Sequence, residues 1–281
     1  MTGPLLLKLG GELLETPGGR ERIAGLAASI AAVRPLVIVH GGGRAIDAEL
    51  ARRGVAPNKV DGLRVTDAPT LDVVVAVLAG SANTALVAAL VAAGVAAVGL
   101  TGVDAGFGRA ARTGAHRSTS GALVDLGFVG DPVEADASLV ELLLVHEYVP
   151  VVASPGVDAA GAVLNVNADV MACRLSAAIG GCDLVIAGAT AGVLDDRGES
   201  IAQLDARGVE ALVARGTATA GMIAKLTACR AALADGVPSV RIVDGRQADT
   251  AGSLDTAPGT TIVRSSLDAA PVPAVGSRGG A

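Results

Sequence analysis

The sequence predicts an α/β protein in which helices cover a central, mostly parallel β-sheet. Short segments rich in β-branched residues alternate with longer Ala-rich segments, and Gly, Pro or Asp stands at most of the boundaries between them. This alternation is typical of strand–helix–strand units, whose strands are buried on both faces and pair in parallel. A chain of 281 residues is long enough for one large domain or two lobes with a substantial core.

Six segments have the length and composition of buried strands, and seven those of helices. The predicted strands are 4–9, 36–40, 96–100, 149–153, 184–187 and 240–243. The predicted helices are 19–32, 44–53, 68–93, 137–145, 168–179, 205–214 and 221–235. Between 102 and 131 a cluster of Gly, Arg, Thr and Ser predicts a hairpin or an irregular insertion on the main sheet. The Ser, Pro, Gly and Ala composition after residue 263 predicts a disordered tail.

The composition argues against several classes of protein. A hydrophobic fraction of 51% excludes a disordered chain. No stretch approaches about 18 apolar residues without a Gly or a charge, so we expect no membrane span. A net charge of −6 and only three aromatic residues give no basis for binding nucleic acid. The odd count of three cysteines, without a CxxC pair, and the lack of a signal-peptide pattern predict a cytoplasmic protein with reduced thiols.

Two Gly-rich turns follow the first two predicted strands. Lys8 is followed closely by Gly10 and Gly11, and the second strand leads into a turn that contains Gly42 and Gly43. In a parallel sheet both turns lie at the carboxyl edge, where ligands bind and helix N-termini offer free N–H groups to anions. The pair of turns beside a lysine favours an anion site, although a Gly-rich turn can also serve only tight backbone geometry. Neither turn is a P-loop, because the chain contains no GxxxxGK[ST].

Four polar residues further along the chain are candidates for the same site. Arg64 precedes a long helical segment, where its planar fork could clamp a carboxylate or the residue could simply be solvated. Asn165 and Asp169 flank the start of a helix, where Asn and Asp are also ordinary caps. Lys225 lies one turn into a predicted helix, where a lone lysine is normally exposed. With Lys8, the Asp169–Lys225 pair makes two cations and a carboxylate, the set that can stabilise a transferring phosphoryl group.

The order and spacing of nine motifs resemble the amino-acid kinase family and, within it, most closely the N-acetyl-L-glutamate kinases. The motifs are KLGG, VIVHGGG, DGLRVTD, DLGFVGD, VPVV, NVNAD, GVLDD, GMIAK and GTTIV, and the resemblance spans about residues 4–264. It implies a three-layer α/β sandwich that forms a single amino-acid kinase domain over 1–264. Within it, the resemblance implies an N-terminal substrate and dimerisation lobe over about 1–178 and a nucleotide lobe over about 179–264, followed by the tail at 265–281.

The resemblance also implies an activity. The family phosphorylates the side-chain carboxylate of N-acetylglutamate with ATP and Mg²⁺, giving an acyl phosphate in arginine biosynthesis. Lys8 and Lys225 would then stabilise the charge on the transferring phosphoryl group, and Asp169 would organise both ammonium groups. We expect no dedicated metal ligands, because Mg²⁺ would be held mainly through the nucleotide phosphates. His40 beside the second turn is expected to be structural, since neither nucleophile nor leaving group requires an imidazole.

The remaining residues implied by the resemblance divide between the two ligands. For the amino-acid substrate they are Gly42 and Gly43 through backbone N–H groups, Arg64 on the α-carboxylate, and Asn165. For ATP they are Gly10, Gly11, Ala189, Gly192, Val193, Leu194, Thr217 and Thr219.

Two departures from the family pattern leave alternatives open. Ala189 stands where the family has an acidic residue on the nucleotide, and Ala105 stands where the family commonly has Gly. One alternative is a kinase of the same fold acting on another N-blocked or carrier-linked acidic amino acid. Another is a non-catalytic regulator that binds an amino acid or nucleotide, whose expected mark would be loss of a catalytic charge. We further expect a homodimer that arginine does not inhibit, because only three residues precede the first strand and the segment 248–256 lacks the features of inhibited members.

Overall fold

The chain folds around a long sheet with helices on both faces. The computed structural model describes residues 3–118, 120–215 and 220–264. The strands are β1 (Leu5–Leu9), β2 (Leu36–His40), β3 (Lys59–Val60), β4 (Leu63–Arg64), β5 (Ala97–Thr101), β6 (Gly108–Arg112), β7 (His116–Arg117), β8 (Leu123–Val124), β9 (Val129–Ala135), β10 (Val149–Ala153), β11 (Gly156–Val157), β12 (Val163–Val166), β13 (Asp183–Gly188), β14 (Gln203–Leu204), β15 (Ser239–Asp244) and β16 (Gly259–Val263). The α-helices are α1 (Pro17–Ala31), α2 (Gly43–Arg52), α3 (Ala68–Val75), α4 (Asn83–Ala92), α5 (Ser138–Val145), α6 (Ala168–Ile179), α7 (Ala206–Arg215), α8 (Ala220–Ala234) and α9 (Ala251–Thr256).

The main sheet of the described residues has eight strands in the order β14-β16-β15-β13-β1-β2-β10-β5. All neighbouring pairs are parallel except β15 and β16, which are antiparallel. The sheet includes all six strands that the sequence predicts. The mostly parallel α/β class is therefore confirmed. The unpredicted strands β16 and β14 extend one edge.

The central strands are buried on both faces, which explains their continuous apolar sequences. Along β1, Leu5, Leu7 and Leu9 pack into the core on the side of α1. Leu6 packs into the opposite core, which contains buried residues of α6 and α8. Because side chains alternate along a strand, Lys8 shares the face of Leu6 and points toward α6 and α8. The two cores and the sheet between them make the predicted three layers.

The N-terminal ends of α3 and α6 are set by capping side chains. Asp67 precedes α3 and accepts a hydrogen bond from Thr70 N at 2.9 Å. Asn167 caps α6 in the same way. The predicted helices agree with the observed ones to within about two residues at each end, a typical uncertainty of helix boundaries. The predicted helix over 68–93 contains a central π-helical segment, Ala76–Ala82, between α3 and α4.

The prediction for 102–131 is wrong in one respect, because β6 and β9 do not join the main sheet. With β11 and β12 they close a separate four-stranded barrel, and β7 and β8 form a further hairpin. Glycine allows this closure: a Cβ on Gly156 would lie 2.5 Å from the carbonyl oxygen of Gly108. The strands β11 and β12 were not predicted. They bring Asn165 beside β9, to which β12 is paired.

The continuous helix Ala68–Ala92 is long and apolar enough to cross a membrane by length and composition alone, and 39% of its most apolar part is buried. It contains Asp72 and Gly80, and its course agrees with the single helix predicted over 68–93. Its α4 segment packs against α1 and β5. Ala76, Ala88 and Val91 of this helix are exposed.

The lobes and the tail stay predictions from sequence. Nothing in the fold tests the predicted division into lobes near residue 178, and the tail at 265–281 lies outside the described residues. The cysteines Cys173, Cys182 and Cys229 are free and buried.

Candidate active site

The carboxyl edge of the main sheet brings the two Gly-rich turns together. Strands β1 and β2 are in register, with Leu9 opposite His40, so both turns begin at the same level. Gly10 N donates to Ala187 O at 2.8 Å, which joins the first turn to the end of β13. A Cβ on Gly11 would lie 2.7 Å from the Cα of Gly42, so the first turn must contain glycine where it meets the second.

Lys8, Asp169 and Lys225 form a continuous ion-paired group at this edge. Lys8 Nζ lies 2.6 Å from Asp169 Oδ1, and Lys225 Nζ lies 2.9 Å from Asp169 Oδ2. Asp169 is in the first turn of α6, and its backbone N donates to the capping side chain of Asn167 at 2.8 Å. The strand, α6 and α8 each supply one member, and the group carries a net charge of +1.

Burial and charge act in opposite directions on these groups. Burial by itself would raise the pKa of Asp169, but the two neighbouring ammonium groups outweigh it and lower the pKa to about 2. Asp169 is therefore ionised at neutral pH. Burial lowers the pKa of Lys8 below 10.5, and Asp169 opposes that change. The buried carboxylate thus keeps two closely spaced cations in place.

A cavity of about 410 Å³ opens above this group. Both Gly-rich turns, the three charged residues and the turn after β13 line it. The lining residues are Lys8, Gly10, Gly11, Glu12, Gly41, Gly42, Gly43, Asn167, Ala168, Asp169, Gly188, Ala189, Thr190, Gly221, Met222 and Lys225. Backbone N–H groups at Gly-rich turns and two cations make this cavity suited to a polyanion such as a triphosphate.

A second cavity of about 220 Å³ adjoins the first. The two share Gly41, Gly42 and Gly43 together with Asn167 and Ala168. The second cavity is also lined by Lys59, Arg64 and Asn165, among others. The glycine turn of β2 therefore separates a polyanion cavity from a smaller one that presents cationic side chains.

The side chain of Arg64 is held at the second cavity by the backbone carbonyl of Gly43 and the carboxylate of Asp47. Its side chain is 7% exposed, and Nη2 lies 2.6 Å from Asp47 Oδ1 and donates to Gly43 O at 3.1 Å. Within the described part of the chain, its buried Nη1 has no hydrogen-bond partner. An unpaired buried donor is costly, which favours an anionic ligand at this position.

Two charged residues were missed by the sequence analysis: Lys59, which lines this cavity, and Asp47, which binds both Lys59 and Arg64. Asp47 on α2 binds Arg64 through one oxygen and Lys59 Nζ at 2.6 Å through the other. Burial favours the neutral form of Asp47, but these two cations overcome it and lower its pKa. A charged side chain on the helix α2 or on the two-residue strand β3 carries no local signal that distinguishes it from a solvated one.

Asn165 and His40 both lie near the glycine turn after β2 but make separate sets of hydrogen bonds. Asn165 Nδ2 donates to Thr66 Oγ1 at 3.0 Å, and Thr66 Oγ1 donates to Arg64 O at 3.1 Å. His40 is buried, which lowers its pKa to about 4. Its Nε2 accepts from Asn83 Nδ2 at 3.0 Å, and Nδ1 donates to Gly41 O at 3.2 Å. These contacts agree with the structural role expected for His40.

The residues predicted for the nucleotide are only partly brought together. Ala189 lines the first cavity, whereas Gly192, Val193 and Leu194 do not. Gly192 has a φ of 98°, which favours glycine, and Val193 N donates to Thr260 Oγ1 at 2.8 Å. Thr217 and Thr219 lie outside the described residues.

The fold and site agree with the sequence families that the chain matches. A model of the amino acid kinase family matches residues 4–244, and the chain belongs to that family.

Particular relatives are kinases of acetylglutamate by name. The acetylglutamate kinase of Symbiobacterium thermophilum is 46% identical over 215 residues, covering 75% of this chain and 73% of the relative. That of Solibacter usitatus is 41% identical over 242 residues, covering 86% and 91%. That of Sorangium cellulosum is 40% identical over 268 residues, covering 91% and 94%.

Solved structures share the fold at lower identity. N-acetylglutamate synthase from Neisseria gonorrhoeae, complexed with coenzyme A and N-acetyl-glutamate, matches with a TM-score of 0.79 at 22% identity. The match covers 94% of this chain but 60% of the synthase chain, so this chain spans about three fifths of that length. Carbamate kinase from Giardia lamblia matches with a TM-score of 0.61 at 13% identity.

Proposed function

We propose that the chain catalyses ATP-dependent phosphorylation of the side-chain carboxylate of N-acetyl-L-glutamate, a step of arginine biosynthesis that yields an acyl phosphate. The observation that carries the proposal is the ion-paired group of Lys8, Asp169 and Lys225 under a polyanion cavity that adjoins a smaller cationic cavity. The names of relatives that are 40–46% identical support the choice of acceptor.

The acceptor would occupy the second cavity. Its α-carboxylate would pair with Arg64, whose unpaired Nη1 suits a carboxylate oxygen. Asn165 would contact the same amino acid, and Asp47 would hold Arg64 in position. The side-chain carboxylate would then reach the junction at Gly42 and Gly43, where backbone N–H groups can orient it.

Phosphoryl transfer in this arrangement needs no enzyme nucleophile. A carboxylate oxygen of the acceptor attacks the γ-phosphorus, the bond from that phosphorus to the β–γ bridging oxygen breaks, and ADP leaves with the electron pair. No proton must move, because the acceptor carboxylate is ionised at neutral pH. Lys8 and Lys225 would stabilise the charge on the transferring group and the leaving oxygen, and Asp169 would hold both ammonium groups.

The nucleotide would lie in the first cavity with its phosphates against the turn at Gly10 and Gly11, where the N–H group of Gly10 is itself bonded to Ala187 O. Ala189, Gly192, Val193, Leu194, Thr217 and Thr219 are proposed to surround the rest of it. Mg²⁺ would accompany ATP and neutralise phosphate charge. Among the described residues no group of three or more His, Cys, Asp and Glu side chains could hold a metal ion, so phosphates and water would supply most of its ligands.

A kinase acting on another N-blocked acidic amino acid is the second candidate. Lys59 supports this second candidate, because it lines the second cavity, where its ammonium group shares the Asp47 carboxylate with the guanidinium of Arg64 and could meet an additional anionic group. A regulator without activity is disfavoured by the intact set of Lys8, Asp169 and Lys225.

ADP release with three acceptors separates these candidates. We expect release with N-acetyl-L-glutamate and much slower release with free glutamate or N-acetyl-aminoadipate. Preference for N-acetyl-aminoadipate would support the second candidate. No acceptor-dependent release with any of them, from protein that binds ATP, would support a regulator.

The half-exposed helix Ala68–Ala92 supports a homodimer. Only 39% of the most apolar part of this long helix is buried, which leaves apolar surface to cover, and a two-fold dimer is the commonest way to do so. We propose a cytoplasmic dimer without nucleic-acid or membrane partners. Light scattering should give the mass of two chains, and a monomer or a hexamer would contradict this proposal.

A further inference from the structure

Glu12 places a carboxylate inside the first cavity. It follows Gly11 in the 3₁₀ turn after β1, its side chain is exposed, and it is among the residues that line the cavity. Its Oε1 accepts a hydrogen bond from Ala189 N at 3.1 Å. A Cβ on Gly188 would lie 3.2 Å from the same oxygen. The carboxylate therefore lies against the turn at the end of β13, where residue 189 itself has no side-chain oxygen.

The same turn is held from its other side by Arg246. Arg246 Nη2 donates to Ala189 O at 2.9 Å. Its guanidinium also binds Asp244 through Nε at 2.9 Å and Nη2 at 2.8 Å. Asp244 is 3% exposed, so this anchor belongs to the core of β15. The N–H group and the carbonyl of Ala189 are therefore both engaged by charged side chains, and the turn that the Glu12 carboxylate contacts is anchored to β15.

The negative charge of Glu12 is unfavourable beside a bound triphosphate. Like charges repel, so Glu12 would oppose a triphosphate unless a cation lay between them. The charge of Glu12 acts on Lys8 and Arg246. However, Lys8 is paired with Asp169 and Arg246 with Asp244, and Lys225 is also paired with Asp169. In the described part of the chain, Oε2 of Glu12 accepts no hydrogen bond, which leaves one oxygen available. Mg²⁺ at nucleotide sites is commonly bound by one or two carboxylates together with phosphate oxygens and water.

We propose that Glu12 binds the Mg²⁺ that accompanies the nucleotide directly through Oε2. This inference rests on the proposed nucleotide site and adds the protein ligand that the site otherwise lacks. Glu12 thereby has two functions, since Oε1 holds the turn at Ala189 and Oε2 faces the metal.

The variant Glu12→Gln separates the two functions. Glutamine keeps an oxygen that can accept from Ala189 N, but it removes the charge that attracts the metal. Calorimetry without any amino-acid acceptor measures the dissociation constant of a non-hydrolysable ATP analogue in excess Mg²⁺ and again in EDTA. In the wild type the Mg²⁺ complex should bind more tightly than the metal-free analogue. In Glu12→Gln this preference should fall about tenfold, or about 1.4 kcal/mol, while binding of the metal-free analogue does not weaken.

Glu15→Gln is the matched control. Glu15 pairs with Arg44 at 3.0 Å and does not line the cavity, so this variant should keep the wild-type preference for the Mg²⁺ complex. An unchanged preference in Glu12→Gln would overturn the role of Glu12 while leaving the nucleotide site intact. Equal weakening with and without metal would also overturn it, because Glu12 would then act only on the turn. Failure of the wild type to bind the analogue under either condition would overturn both the nucleotide site and the role of Glu12.

A spectroscopic measurement provides a second readout. Mn²⁺ replaces Mg²⁺ in the complex with the same analogue, and its electron paramagnetic resonance spectrum reports its ligands. Glu12→Gln should change the spectrum of the bound Mn²⁺, and Glu15→Gln should not. Identical spectra for the wild type and Glu12→Gln would contradict a metal-bound carboxylate.

Discussion

Replacing Asp169 by asparagine should lower the free energy of unfolding, and the loss should be larger at pH 7 than at about pH 9. In the wild type, the pKa of Asp169 falls from 3.8 to about 2 on folding, which at about 1.36 kcal/mol per pKa unit corresponds to about 2 kcal/mol. This stabilisation is present above pH 3.8 and is lost as pH falls toward 2. The neutral amide would also leave Lys8 and Lys225 without their shared carboxylate. We therefore expect a loss of about 2–4 kcal/mol in the free energy of unfolding at pH 7.

The lowered pKa of Lys8 decides how the stability lost in Asp169→Asn changes with pH. Burial lowers its pKa in the folded protein, and loss of Asp169 removes the largest opposing influence. A lysine with a lowered pKa destabilises the fold while it is charged, and this penalty shrinks as pH rises. The difference in stability between wild type and Asp169→Asn should thus be larger at pH 7 than at about pH 9.

Urea unfolding at the two pH values measures this difference. Asp183→Asn is the control, because Asp183 pairs with Arg34 at 2.6 Å but its side chain is 53% exposed. That substitution should cost no more than about 1 kcal/mol at either pH. A loss in Asp169→Asn no larger than in the control, or a loss that grows with pH, would refute the reasoning.

Three further predictions concern the substrate, the lysine and a strained turn. Arg64→Lys should raise KM for N-acetylglutamate about tenfold and leave KM for ATP nearly unchanged, because lysine lacks the planar fork, and equal rises would contradict the assignment. The kcat/KM of the wild type should fall as pH rises through the pKa of Lys8, which lies below 10.5, so a profile that stays flat to that pH would argue against a charged Lys8. Ala105 has a φ of 52°, so Ala105→Gly should raise stability by about 1 kcal/mol in thermal unfolding, and a lower Tm would show that the turn carries no strain.

The main sheet was predictable because its strands are buried on both faces. In β2 the residues Leu36–Val39 are apolar without interruption, and Pro35 and Gly41 bound the strand, which is typical of a buried strand. The small barrel was not predictable in the same way. Its strands are short and contain Gly and charged residues, and β12 pairs with β9 more than thirty residues earlier in the chain, as in the register of Asn165 with Val129. Such pairing depends on tertiary closure rather than on local pattern.

The residues of the candidate site also divide into those that the sequence predicted and those that it did not. Lys8, Asp169 and Lys225 carry no strong signal one by one, but the family resemblance selects them, and alternation along β1 directs Lys8 to the face of α6 and α8. Asp47 and Glu12 were missed because each is one acidic residue among many on a chain with 28 of them. Only the folded chain shows that Asp47 bridges two cations and that Glu12 lies against Ala189.

Trapping of the product with hydroxylamine tests the central claim most directly. An acyl phosphate reacts with hydroxylamine to give a hydroxamate, whereas simple hydrolysis of ATP gives none. With ATP, Mg²⁺ and N-acetyl-L-glutamate the wild type should form hydroxamate in step with ADP, and Lys225→Met should form it at least about a hundredfold more slowly while keeping its fold. ADP formation without hydroxamate, or an undiminished rate in Lys225→Met, would contradict phosphoryl transfer to the carboxylate at this site.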